Sequence, residues 1–267
     1  MVNTRVLTSL VLVPLLFVVV WLLPPVYFAG LAIIAAAIGQ YELYAMARGR
    51  GITPLMILGI VLGALIVLTV YRPIPPYRGG PFFWITLCVL AVITARLFSR
   101  RPVEGALEDI TVTMFGIVYV ALLFAFQVAI LAGSSGKRWL MFLYLVIWAS
   151  DIGAYYVGTA FGKRRLYERI SPKKSIEGLI GGTLASIIIA VLCKIWLVPA
   201  LGWVEASVLG AVLALVGTVG DLAESLIKRS TGVKDSGTII PGHGGILDRM
   251  DSMLFAAPVL FFYMRMR

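Results

Sequence analysis

The chain has 267 residues, 60% of them hydrophobic and only 13% charged, against about a quarter charged in an ordinary soluble domain, so a soluble globular core is excluded as the destination of this much apolar surface. The formal net charge of +10 does not point to nucleic acid, because the basic residues sit in short connectors between apolar stretches rather than on one solvated face; anionic lipid headgroups and anionic substrates suit them instead. Cys88 and Cys193 both lie inside apolar stretches, so neither a disulfide framework nor a zinc site is implied.

Apolar runs recur along nearly the whole chain, and each approaches the roughly 20 residues that cross about 30 Å of hydrocarbon as a helix. In chain order the predicted spans are 6–23, 26–47, 54–71, 82–98, 112–131, 139–161, 179–198, 204–227 and 250–264. The first follows a charged start, but its apolar run is too long for a signal peptide and no A-x-A pattern follows it directly, so it reads as a retained anchor. Pro24 and Pro25, Pro73 to Pro76, and Pro199 with Gly202 punctuate the runs. Only helices close their own backbone hydrogen bonds in lipid, and alternating barrel strands are absent, so the expected fold is all-α: a polytopic membrane bundle of about nine transmembrane helices. Residues 1–137 form an apolar scaffold in which Glu42 is the only acidic residue within a span, and residues 138–267 carry the catalytic region with its polar loops.

With the N-terminus inside, sixteen Lys and Arg residues fall on the cytoplasmic side and six on the other, the asymmetry expected of a cytoplasmic N-terminus. The two long polar connectors at 163–177 and 228–249 are two crossings apart and therefore share the cytoplasmic face.

Ionisable groups inside spans cost roughly 2.5–3.5 kcal/mol each on insertion scales, and they concentrate in the second half: Asp151 in the sixth span, Asp221, Glu224 and Lys228 in the eighth. Helical spacing makes Glu224 and Lys228 neighbours. They are either an internal ion pair that permits burial or part of a site. Asp221 has no cation within one turn, so a bound metal ion or a protonated carboxyl must offset its cost, and the metal is the preferred reading.

Lys234 and Asp235 then lead into Gly237, Gly242, His243, Gly244 and Gly245, glycines that suit close approach of backbone to a phosphate, and on to Asp248, Arg249 and Asp251. Asp248 and Asp251 lie on one side of a helical turn and suit one hard cation, although each alone also fits a helix-start role. His243, the sole histidine, excludes a zinc site built on several imidazoles, and either hydrogen-bonds backbone or contacts phosphate. In the earlier connector, Ser171, Pro172, Lys173, Lys174, Ser175 and Glu177 open a helix with ammonium groups, hydroxyls and N–H donors suited to a polyphosphate.

At these residues the chain resembles the phosphatidate cytidylyltransferase family, also called CDP-diglyceride synthase. The family's C-terminal signature runs from Ser225 through Lys228, Arg229, Lys234, Asp235, His243, Gly244 and Gly245 to Asp248, Arg249 and Asp251. A second block runs from Asp151 through Ala154, Tyr155, Gly158 and Gly162 to Ser171, Pro172, Lys174, Glu177 and Gly178. Together they cover about residues 148–252. Ser175 stands where the family commonly has Thr, which keeps the hydroxyl, and Lys173 occupies a position that is not always basic. The resemblance implies Mg²⁺ with K⁺ as a second cation, CTP and phosphatidate as substrates, a homodimer within membrane lipids, no nucleic-acid partner, and an active site on the cytoplasmic face of the inner membrane.

The expected reaction is attack of a phosphatidate oxygen on the α-phosphorus of CTP. Asp221 and Asp248 are the first-choice metal ligands and are expected to meet, with Asp251 and Asp151 as further candidates. Lys228 and Arg229 are the catalytic cations. Ser171, Lys173, Lys174, Ser175, Glu177, Lys234, His243, Gly244, Gly245 and Arg249 are the substrate contacts. Two rivals are a cation-coupled transporter, whose ionisable residues would collect at the midplane, and a CTP-dependent polyprenol kinase, which would transfer the γ-phosphate.

Overall fold

A computed structural model describes residues 13–71, 80–239 and 244–267. Among them nine helices follow one another: α1 (Val13–Leu22), α2 (Pro25–Arg48), α3 (Met56–Tyr71), α4 (Gly80–Leu97), α5 (Ala106–Ala132), α6 (Gly136–Phe161), α7 (Ile176–Trp196), α8 (Trp203–Thr231) and α9 (Leu247–Met266). Five of these, α2, α5, α6, α7 and α8, are long and apolar enough to cross a membrane. Ile180, Leu184, Ile188 and Leu192 repeat along α7 at four-residue spacing with their side chains outward, an apolar stripe for which lipid is the fitting solvent. The chain is a helical membrane protein.

Two departures from the expected elements have physical causes. The helix expected at 112–131 begins at Ala106, taking in Glu108 and Asp109 in its first turn. Asp109 is tolerated because Arg96 Nε lies 3.0 Å from its carboxylate and the Thr53 N–H donates to it at 2.7 Å, while the N-terminal position of both acids suits the helix dipole. The structure is also not purely α. A short antiparallel ribbon, β1 (Arg165–Tyr167) and β2 (Ser171–Ser175), fills the connector before α7. Pro172 is tolerated there because a two-stranded ribbon has only edge strands.

The chain divides into two compact units: residues through Ala129 with Thr231–Asp248, and Ile130–Ser230 with Arg249–Arg267. In the first, Tyr44 of α2 is fully buried, and its hydroxyl donates to the Thr113 carbonyl at 2.8 Å while Gln40 of the same helix donates to the Gly59 carbonyl at 2.9 Å. Gly59 and Gly116 pass so close to the Tyr44 ring that a Cβ at either would collide with it. In the second, α6 and α7 meet through Gly153, Gly181 and Gly182, and the Ser186 hydroxyl donates across to the Val146 carbonyl at 2.8 Å. Small residues and an interhelical hydrogen bond are what packing in lipid uses when no hydrophobic drive separates protein from solvent.

Candidate active site

The second unit gathers the charged residues of α6, α8, α9 and β2. Lys174 of β2 forms an ion pair with Asp221 of α8, both side chains half-buried. Asp221 thus has a cation after all, delivered by a connector 47 positions away rather than by its own helix. One layer along α8, Lys228 Nζ lies 2.5 Å from Glu224, and the pair is buried, with 9% and 1% of the two residues exposed. Asp251 of α9 is within electrostatic reach of Asp221, Glu224 and Asp151, and Asp151 of α6 in turn feels Lys174 and Arg249. Four carboxylates held this near one another repel unless cations accompany them.

As placed, no three acidic, histidine or cysteine side chains among the described residues converge to hold a metal ion. The donor chemistry nonetheless fits a hard divalent cation, being carboxylate oxygens drawn from three helices, although the Lys174 ammonium occupies Asp221 in this structure.

Ser175 ends β2 and caps α7, its Oγ accepting from the Gly178 N–H at 3.1 Å. Glu177 accepts from the Lys163 and Arg164 N–H groups at 3.1 and 3.2 Å, closing the connector onto the first turn. Both are therefore engaged by backbone. Ser175→Ala is expected to destabilise the protein by about 1 kcal/mol, read as a lowered midpoint of thermal unfolding in detergent. Ser171 pairs with Tyr167 in the ribbon. Lys173, Arg229, Lys234 and Arg249 are exposed, and Arg229 Nε sits 3.5 Å from the Ile170 carbonyl. His243 lies outside the described residues.

The first unit holds the glycine-rich segment, and here the structure adds a residue that hydropathy alone assigns to the scaffold. Asp248, in the first turn of α9, accepts at one oxygen from the Ser236 N–H (2.9 Å), the Ser236 hydroxyl (2.9 Å) and the Gly245 N–H (2.8 Å). Glu42 of α2, only 2% exposed, accepts from the Ile246 N–H at 2.9 Å and the Leu247 N–H at 3.0 Å. A Cβ at Gly237 would stand 2.7 Å from Glu42 Oε1, and one at Gly245 would collide with it. Gly244 has φ +84, the left-handed region that glycine enters without strain. Part of the glycine content is thus accounted for by a carboxylate of the protein itself, around which the segment is wrapped. The one signal in the sequence is that Glu42 is an unexplained acid inside an apolar span.

Comparison with known proteins finds relatives along the whole chain. The model of a family described as the cytidylyltransferase family matches residues 3–267. A phosphatidate cytidylyltransferase of Haemophilus influenzae is 32% identical over 285 residues, covering 98% of both chains, and one of Synechocystis sp. is 31% identical over 264 residues, covering 89% of this chain and 88% of the relative. One of Bacillus subtilis is 42% identical over 127 residues, 48% of this chain and 47% of its own. With a match that runs essentially from end to end, the chain belongs to the cytidylyltransferase family.

Proposed function

We propose that this protein transfers CMP from CTP to phosphatidate, giving CDP-diacylglycerol and pyrophosphate. The observation that carries this reading is the ion pair bringing Lys174 from the basic connector onto Asp221 of an apolar helix: it joins a phosphate-seeking group to a cation-seeking one.

In the reaction a phosphate oxygen of phosphatidate attacks the α-phosphorus of CTP. A new P–O bond forms, the bond to the bridging oxygen of the β-phosphate breaks, and the electron pair leaves with pyrophosphate. Positioning and charge neutralisation are the main demands of such a step, so no side-chain nucleophile is needed. Lys174, Lys228, Arg229 and Lys234 hold the phosphates of the two anionic substrates, with Ser171, Lys173, Arg249, Gly244, Gly245 and His243 as further contacts. Asp221 and Asp248 would be the first ligands of Mg²⁺, with Asp251 and Asp151 as further candidates. When bound, the ion supplies neutralisation of charge on the phosphate oxygens.

The same reading includes nine crossings of the inner membrane, a cytoplasmic N-terminus, an active site facing the cytoplasm, K⁺ as a second cation and a homodimer. The basic excess in the connectors at 163–177 and 228–249 supports the cytoplasmic placement. The test is pyrophosphate release by purified protein from CTP and phosphatidate, with and without Mg²⁺. CTP labelled at the α-phosphorus is expected to label the lipid product; label entering the lipid only from the γ-position would instead make the protein a lipid kinase.

A further inference from the structure

Glu42 is an acid in an apolar helix, buried within the first unit and remote in sequence from every residue of the proposed reaction. A lone buried carboxylate is costly unless donors surround it, and here the donors are specific. Oε1 accepts from the Ile246 N–H, and Oε2 from the Leu247 N–H and the Ser236 hydroxyl at 3.0 Å. These N–H groups belong to the entry of α9, where the first donors of a helix lack carbonyl partners and a negative charge is favoured by the dipole. Glu42 is therefore the cap of α9, supplied from α2 rather than from the local sequence.

The network does not stop there. The Ser236 hydroxyl lies 3.0 Å from Glu42 and 2.9 Å from Asp248. It has one hydrogen and two carboxylates competing for it, so the two acids are linked through a single atom. Asp248 remains tied to the Ser236 and Gly245 N–H groups whichever way that hydrogen turns. Each oxygen of Glu42 accepts from a backbone N–H, so glutamine cannot reproduce the pair: its amide NH₂ would face the Ile246 or the Leu247 N–H.

We propose that Glu42 is a positioning residue for the reaction: by capping α9 and sharing the Ser236 hydroxyl, it fixes the carboxylate of Asp248 at the start of that helix. The inference rests on the proposed function only in taking Asp248 to act in turnover. It assigns the first half of the chain a task beyond that of an apolar scaffold.

The experiment uses full-length protein in detergent with phosphatidate, CTP and Mg²⁺, comparing wild type, Glu42→Gln and Ser236→Ala. Misplacing a reacting group by about 1 Å costs on the order of 100-fold, so Glu42→Gln is expected to lower kcat by about that factor while leaving the KM for CTP within about threefold. Ser236→Ala, which removes only the shared hydroxyl, is expected to lower kcat by about tenfold. Hydrogen exchange read on peptides spanning 244–250 should accelerate in Glu42→Gln, while peptides from α6 and α7 keep wild-type protection. Should Glu42→Gln fail to fold, Ser236→Ala carries the decision alone. Wild-type kcat in Ser236→Ala, or in a folded Glu42→Gln, overturns the inference, as does a loss expressed wholly in KM. Absence of pyrophosphate release by the wild type overturns the proposed function instead, and the exchange data then still report whether Glu42 holds the start of α9.

Discussion

Replacing Asp221 with Asn is expected to lower pyrophosphate release by on the order of 10³-fold, as for loss of a group that meets charge developing in the transition state, while stability changes by less than about 1 kcal/mol. The asymmetry follows from geometry. The Lys174 to Asp221 pair is partly exposed, with 25% and 32% of the two side chains accessible, and ion pairs with access to solvent contribute little to folding. Steady-state kinetics beside a thermal unfolding curve separate the two effects. Lys174→Ala removes the other partner and is expected to act differently, raising the KM for CTP by about tenfold or more with a smaller change in kcat. Near wild-type turnover in Asp221→Asn would remove that carboxylate from the reaction and leave it only as the counter-ion of a connector lysine.

A comparably large effect is expected for Lys228, on stability as well as on turnover. The Glu224 to Lys228 pair is buried, and removing one member of a buried pair costs about 3–5 kcal/mol because the other charge is left in a poor solvent. Lys228→Met should therefore lower the unfolding midpoint sharply. In the double variant Lys228→Met with Glu224→Gln the stranded charge is gone, and most of the stability is expected to return. Turnover is not, because Lys228 is assigned to substrate phosphates. Recovery of activity with stability would make the pair a device for burying α8 and nothing more.

The two carboxylates of α8 illustrate how sequence distance limits inference. Spacing of four residues along a helix makes the Glu224 to Lys228 pair legible in the residues themselves, since neighbours one turn apart face each other. Asp221 looks uncompensated by the same rule, because its cation lies on the ribbon before α7 and only folding brings Lys174 to it. The ribbon itself is not legible, since a five-residue strand containing Pro172 carries no clear period-two pattern. The start of α5 is misplaced by hydropathy for a related reason: charges at Glu108 and Asp109 look like the end of a span until Arg96 is seen to neutralise Asp109.

What the residues determined alone was the solvent, the helical class and the concentration of ionisable groups within the apolar runs of the second half, because hydropathy and charge patterning act locally along the chain. Tertiary structure alone placed the Ser175 hydroxyl on the first turn of α7 and brought Glu42 to a serine 194 positions later. A carboxylate in an apolar run states its cost in the sequence, but the donors that offset that cost come from wherever the fold places an open helix end. Here that end is the start of α9, and Glu42 closes it.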